Sequence, residues 1–382
     1  MRATCHKTRT KPMGRFLFRD GHGHLDDKAN NFTAMRIAFA LIVLYGHALM
    51  IPLGLPFTGV WATSVDFIVQ CSLDGFFILS GYMITASAMR SSQLGRYVSA
   101  RIFRIFPGLI ATVLLLWLVI GPLFTSLPAG EYWSQSQTWL FPIKLISQID
   151  PMAGLPGVFE ASPMGENMNG PLWTIRYELM AYVGVGALMM VGLYRQNAQV
   201  LVWSALTVAF GIAVETFGYR GIGEETIGTL ARFAPAFMVG AAFHAGRKYL
   251  RLTPAFAGLA GLAALVTHGT PMGWLMLDVA LASAYLLIGY ARIPGRTGDQ
   301  VRNVEDISYG IYILHWPIGM MVFALLPGLT TTALAAIMLP LALIAGWGLR
   351  VLVEKPAISL RTRLSARPSI ETATQAPAIS TS

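Results

Sequence analysis

The stretch Asn31 to Leu53, NFTAMRIAFALIVLYGHALMIPL, sets an arginine and a histidine inside an otherwise apolar run long enough to cross a bilayer. A spanning helix needs about 20 mostly apolar residues, and ionisable groups within one are costly enough to count as functional candidates. Those groups are Arg36 and His47. On a helix their spacing is close to three whole turns, so both project from nearly one stripe, about 16 Å apart along the axis. The structural alternative is that Arg36 reaches the headgroups by its long stem and His47 bonds a neighbouring helix.

The same pattern recurs along the chain. With 54% hydrophobic and 12% charged residues and a mean hydropathy of +0.56 over 382 residues, the charge content is about half that of a soluble domain. The expectation is an all-α, polytopic membrane protein with about ten transmembrane helices. These fall near 31–53, 60–87, 105–126, 171–193, 198–217, 227–246, 253–270, 272–291, 306–327 and 331–353. Residues 1–30 form a basic tail without the apolar core and cleavage site of a signal peptide. A membrane domain is expected over 31–357, and a disordered tail rich in Ser, Thr, Ala and Pro over 358–382. No soluble catalytic domain is expected at either end, which places any chemistry within or at the membrane. Cys5 and Cys71, the only cysteines, suggest neither a disulfide framework nor a thiolate metal site.

The net charge of +9 does not indicate nucleic acid, because the basic residues lie in short connections between apolar runs. In a ten-span arrangement nearly all fall on one side, with Lys144 and Arg220 alone in the opposite loops. By the positive-inside rule both termini are expected to be cytoplasmic. The one long outer connection, about 127–170, carries Glu131, Asp150, Glu160 and Glu166 among Tyr132, Trp133, Trp139 and Phe141. Its aromatics suit an interfacial belt, with a sugar platform as the sharper alternative.

Several further stretches place polar groups at membrane depth. The second span contains Asp74-Gly-Phe-Phe-Ile-Leu-Ser-Gly81, where a carboxylate and two glycines mark close packing or a break, and Asp74 is a candidate partner for Arg36. Arg101 and Arg104 share a helix face at the start of the third span, and arginine suits bidentate phosphate recognition, although such a pair alone is most often a topology signal. Span four opens Pro171-Leu-Trp173-Thr-Ile-Arg176-Tyr177-Glu178; Trp173 and Tyr177 make an interfacial anchor, and Glu178 must be paired, protonated or facing water. In Ser308-Tyr-Gly-Ile-Tyr312-Ile-Leu-His315-Trp316-Pro317, residues 308, 312 and 315 fall on one face, and Pro317 removes the N–H that bonds back to residue 313. Zinc-protease, Walker, nucleophile-elbow and dinucleotide motifs are all missing from the sequence, so metal chemistry has no local support.

Taken together, these stretches resemble the family-3 membrane acyltransferases, which O-acylate bacterial surface carbohydrates. The resemblance spans roughly residues 30–357. It rests on Arg36 with His47, the FFILSG of 76–81, Arg101-x-x-Arg104 with Pro107, the PLWTIRYE of 171–178, the SYGIYILHWPI of 308–318, and Glu354-Lys-Pro356. It departs from the family pattern at Met35-Arg36-Ile37, where Arg-Gly is common, and at Arg176, where a small residue is usual. The resemblance implies a functional core of Arg36, His47, Arg101 and Arg104. It also implies an O-acetyltransferase of the bacterial cytoplasmic (inner) membrane, acting without an appended esterase-like domain.

On that reading acetyl-CoA or another acyl-CoA is the co-substrate, with its phosphates on Arg36, Arg101 and Arg104, and a carbohydrate hydroxyl meets His47 on the outer side. His47 then serves as general base or as an acylated relay, routes between which the sequence leaves the choice open. Glu178 or Asp74 orients it, and Trp173, Tyr177, Tyr312 and His315 are candidate substrate contacts. The rival reading is a transporter or flippase, for which polar-lined helices also suffice, but no matching halves are visible in the sequence.

Overall fold

The computed structural model describes residues 30–54, 59–90, 93–165, 167–291 and 293–365. The basic tail before Asn30, Cys5, Glu166 and the tail from 366 onward lie outside the described residues. Among the described residues the chain is helical, with one isolated β-bridge between Thr125 and Val158. In chain order the long helices begin with α1 (Phe32–Leu53), α2 (Val60–Arg90) and α3 (Leu94–Phe124). The connection that follows contains the short α4 (Ala129–Ser134) and α5 (Ser136–Ser147). Then come α6 (Trp173–Met190), α7 (Asn197–Phe217), α8 (Glu224–Gly246), α9 (Pro254–Val266), α10 (Pro271–Gly289) and the short α11 (Gly295–Arg302). The last two are α12 (Ser308–Leu325) and α13 (Thr331–Leu364).

Eight of these helices are long and apolar enough to cross a membrane: α1, α2, α3, α7, α8, α10, α12 and α13. The protein is therefore a multi-pass membrane protein. The other two expected spans are helical but fall short on these terms. Helix α9 has 13 residues, about 20 Å of rise against a hydrocarbon core of about 30 Å. It is cut off by a turn through Gly269, at φ +80°, before Pro271 opens α10, whose first turn is capped by Thr270. Helix α6 carries Arg176 and Glu178 in its first two turns. The disorder expected over 358–382 is absent from 358–365, because Lys355–Ser365 is a helix. Pro356 does not end it: the wider π turn at Arg350–Glu354 lets α13 continue through the missing N–H.

Burial separates inner from lipid-facing helices. Of α12's apolar stretch 67% is buried inside the protein, against 17% for α7. Exposed Leu201, Val202, Leu206 and Phe210 on α7 and Leu259, Leu262 and Leu265 on α9 are what a hydrocarbon solvent permits. Helix α2 is central, packed on α1, α8 and α10. Polar links cross between helices: Asn31 Nδ2 donates to the carbonyls of Ile288 and Ala291 at the open end of α10, and Tyr309 Oη donates to the Ile105 carbonyl at 2.9 Å. Asn31 thereby satisfies carbonyls that the end of α10 leaves over, while Tyr309 ties α12 to the middle of α3.

The α2–α8 crossing depends on two glycines. A methyl group at Gly81 would overlap the Phe237 carbonyl, and one at Gly240 would overlap the Ile78 carbonyl, so the two backbones touch in both directions. Gly81→Ala or Gly240→Ala is expected to cost about 1–3 kcal/mol or more of stability by overpacking, read as a lower thermal midpoint of the detergent-solubilised protein. A wild-type midpoint in both variants would mean that the helices do not cross there.

Candidate active site

Helices α1 and α3 bring the three arginines expected from the sequence to one cavity. It has a volume of about 450 Å³, and Arg36, Arg101 and Arg104 line it together with Ser80, Glu178 and Tyr312. Two more cations, Arg90 at the exposed end of α2 and Arg361 on the final helical segment, complete the basic rim. Arg361 was hidden from sequence reasoning because its segment was expected to be disordered.

The arginines are not equivalent. Asp306 Oδ2 receives Arg36 Nη2 at 2.7 Å and Arg104 Nη2 at 2.8 Å, while Glu354 Oε2 receives Arg104 Nη1 at 2.9 Å and Arg350 Nη1 at 3.1 Å. Burial pushes the Asp306 carboxyl up, but Arg104 and Arg36 outweigh it, and the group is held well below the usual carboxylate range. Arg36 and Arg104 therefore reach the cavity already partnered. Arg101 differs: its guanidinium donates to Ser87 Oγ at 3.2 Å and lies over the rings of Tyr97 and Tyr182, with no carboxylate partner among the described residues. Asp306 was missed from the sequence, although an acidic pair, Glu305-Asp306, placed just before an apolar span on the basic side was a usable signal.

Glu178 faces the same cavity. Its carboxylate accepts from Tyr182 Oη and lies 3.5 Å from Ser80 Oγ. It does not touch His47. Asp74 lines neither cavity. The expected pairing with Arg36 is replaced by a bidentate bond to Arg232, 2.6 Å at both oxygens. Arg232 is in turn stacked on Trp274 at 4.2 Å, with Asp278 at 3.9 Å. The partner differs because α8, not α1, presents a guanidinium to that turn of α2. Arg176, the departure noted at the start of α6, also has a local job: it donates to the carbonyls of Gln148 and Ile149 and ties down the connection between α3 and α6, where Gln148 takes φ +60°.

His47 lies in a second, smaller cavity of about 100 Å³ toward the opposite end of α1 and α2, with Asp66, Gln70 and Trp173. The two cavities share Leu73, Thr174 and Tyr312. They are thus neighbours across a thin partition, in which the hydroxyls of Thr174 and Tyr312 bond at 2.7 Å. Asp66 and Gln70, four residues apart on α2, were not singled out as contacts from the sequence.

His315, expected among the substrate contacts, is instead fully buried behind His47: its Nε2 lies 2.7 Å from His47 Nδ1, and it lines neither cavity. Tyr177 is also buried, packed on Trp173 and Phe233. Of the four expected contacts, Trp173 and Tyr312 reach a cavity. The carbonyl of Ile313, freed by Pro317, accepts from Asn169 Nδ2 at 2.8 Å, and Trp316 Nε1 donates to the Asn167 carbonyl at 3.0 Å. The connection between α3 and α6 is thereby fastened onto α12 beside His47.

The family model for an acyltransferase domain matches residues 30–351. The chain is similar to nodulation protein 10 of Rhizobium leguminosarum bv. viciae, at 26% identity over 389 residues covering 90% of this chain and 97% of that protein. It is similar also to the O-acetyl transferase of Shigella phage Sf6, at 24% identity covering 77% of this chain and 86% of that protein. No solved structure matches. Apart from Ile358 and Arg361, the residues that line the two cavities lie within the matched range, as does His315, and the chain belongs to the family-3 acyltransferases.

Proposed function

We propose that this acyltransferase moves an acetyl group from cytoplasmic acetyl-CoA to a hydroxyl of an extracytoplasmic carbohydrate, across the bacterial cytoplasmic membrane. The observation that carries this reading is the pair of abutting cavities: a cationic one at the end of the bundle where Lys and Arg accumulate, and a small one holding His47 on the side of the outer connection. An acyl-CoA is a polyanion with a long flexible arm. Its phosphates suit the rim of Arg90, Arg101 and Arg361, and its arm suits a mostly apolar cavity of drug-like size. Arg36 and Arg104, bound to Asp306 and Glu354, shape the floor rather than offer free charge.

On the other side, Asp66, Gln70 and the Trp173 ring supply the carboxylate, amide and aromatic face that recognise sugar hydroxyls and sugar rings. An acceptor hydroxyl there gives its proton to His47 while its oxygen attacks the thioester carbonyl. The C–S bond then breaks, the leaving thiolate takes the proton back from His47, and ester and free thiol result. The partition of Leu73, Thr174 and Tyr312 must open for the thioester to reach His47. Closed, it keeps water on the acceptor side from hydrolysing the donor.

Three outcomes test this reading. Reporter fusions after Ser382 and within 140–160 are expected on opposite sides, cytoplasmic and external; finding both on one side contradicts the orientation. Arg101→Ala is expected to raise the donor KM about 10- to 100-fold, since a charge-assisted hydrogen bond contributes about 1.5–3 kcal/mol, with acceptor KM unchanged. Asp306→Ala, by contrast, is expected to reduce the yield of folded protein, because two partly buried guanidiniums lose their common partner. An unchanged donor KM in folded Arg101→Ala would remove Arg101 from the donor site. Finally, His47→Gln keeps a hydrogen-bonding side chain but cannot carry the proton, and is expected to lower kcat by about 10²- to 10⁴-fold. Near wild-type turnover in that variant would make His47 a packing residue.

A further inference from the structure

We propose that His315 is a positioning residue that fixes His47 as the Nδ1–H tautomer and so leaves Nε2, the nitrogen remaining for the smaller cavity, with the lone pair used in the reaction. The argument is one of donors and acceptors in sequence along α12. His315 Nδ1 lies 2.9 Å from the carbonyl of Ile311, one turn earlier on the same helix. A carbonyl only accepts, so the proton of the neutral His315 ring must be on Nδ1, and its Nε2 is an acceptor. That Nε2 lies 2.7 Å from His47 Nδ1. Two lone pairs cannot face each other at this distance, so His47 Nδ1 carries the proton. No described group hydrogen-bonds His47 Nε2, whereas Nδ1 is occupied by a ring that is itself fully buried.

The rest of the surroundings hold this arrangement in place. The edge of Trp316 meets the His47 ring at 5.0 Å and 87°, and Trp316 is anchored through its indole N–H to the Asn167 carbonyl. Asn169 fixes the Ile313 carbonyl that Pro317 leaves without its helical donor. The helix around His315 is thus held from outside at Ile313 and at Trp316, on either side of the ring. When Nε2 of His47 takes the acceptor's proton, the resulting imidazolium keeps its Nδ1–H bond to His315, now charge-assisted and stronger. The proton returns from Nε2 to the leaving thiolate, and His315 neither gains nor loses one.

This inference rests on the reading of His47 as the base, and the test separates the two. In His315→Leu the acceptor is gone and both His47 tautomers become available. The expected result is a loss of about 10- to 100-fold in kcat, the usual size of an orienting partner's effect, with donor and acceptor KM unchanged. His315→Gln, whose Oε1 can accept from His47 Nδ1–H, is expected to recover most of that loss. The direct readout is ¹⁵N spectroscopy of histidine-labelled protein in lipid bilayers near neutral pH, with the His47 signals assigned by their disappearance in His47→Gln. The spectrum is expected to show a protonated Nδ1 and an unprotonated Nε2, and this readout on the unmodified protein stands even where the Leu variant does not fold. Wild-type kcat in folded His315→Leu, or a protonated Nε2 in the neutral ring, overturns the inference. If His47→Gln itself turns over normally, the base reading fails instead.

Discussion

One carboxylate oxygen organises the basic end of this protein. Asp306 Oδ2 is bonded by Arg36 of α1 and by Arg104 of α3, and Glu354 links Arg104 to Arg350 within α13. The chain of alternating charges fastens three helices that are far apart in sequence. Guanidiniums at this depth are unfavourable unless paired. Pairing also leaves the arginines pointing where the cavity needs a rigid wall. Arg101, less than one turn before Arg104 on α3, has no carboxylate partner among the described residues and stacks on tyrosines instead. A folded membrane protein can keep a cation open to an anionic ligand only if its neighbours take up the structural ion pairs.

From that end the interior narrows toward His47. The larger cavity, the Leu73–Thr174–Tyr312 partition and the smaller cavity follow one another along α2 and α12, with α1 contributing Arg36 to the first and His47 to the second. On the proposed function, the two compartments would keep a hydrolysable donor apart from the aqueous side of the acceptor. Helix α12, the most enclosed of the spans, supplies Ser308 and Tyr312 to the larger cavity and the His315 support to the smaller one. The stretch around Pro317 therefore bears on both cavities, through Tyr312 before it and through the connection between α3 and α6 held at Ile313 and Trp316.

Much of this was legible in the sequence because membrane helices expose their exceptions. Arg36 and His47 stood out against an apolar run, their spacing placed them on one stripe, and the structure puts one in each of two adjoining cavities. The Pro317 argument located a carbonyl in need of a donor, and Asn169 provides it. Partners were less legible, because periodicity gives a residue's face but not which helix packs against that face: Asp74 pairs with Arg232 of α8 and not with Arg36. The support for His47 was sought among carboxylates, whereas a second imidazole fills that place. Composition misled at 358–365, where a polar sequence stays helical because it continues α13 beyond the π turn at Arg350–Glu354.

The central claim is that donor and acceptor enter from opposite faces and meet at His47. It is tested most directly with the purified protein reconstituted in sealed vesicles of known orientation, with labelled acetyl-CoA supplied to one side and a carbohydrate acceptor to the other. Label should reach the acceptor only when the donor is on the face carrying Arg101 and Arg361, and the product should appear on the face of the outer connection. Equal transfer with the donor on either face of intact vesicles, or transfer only from the outer-connection face, would contradict the two-sided site.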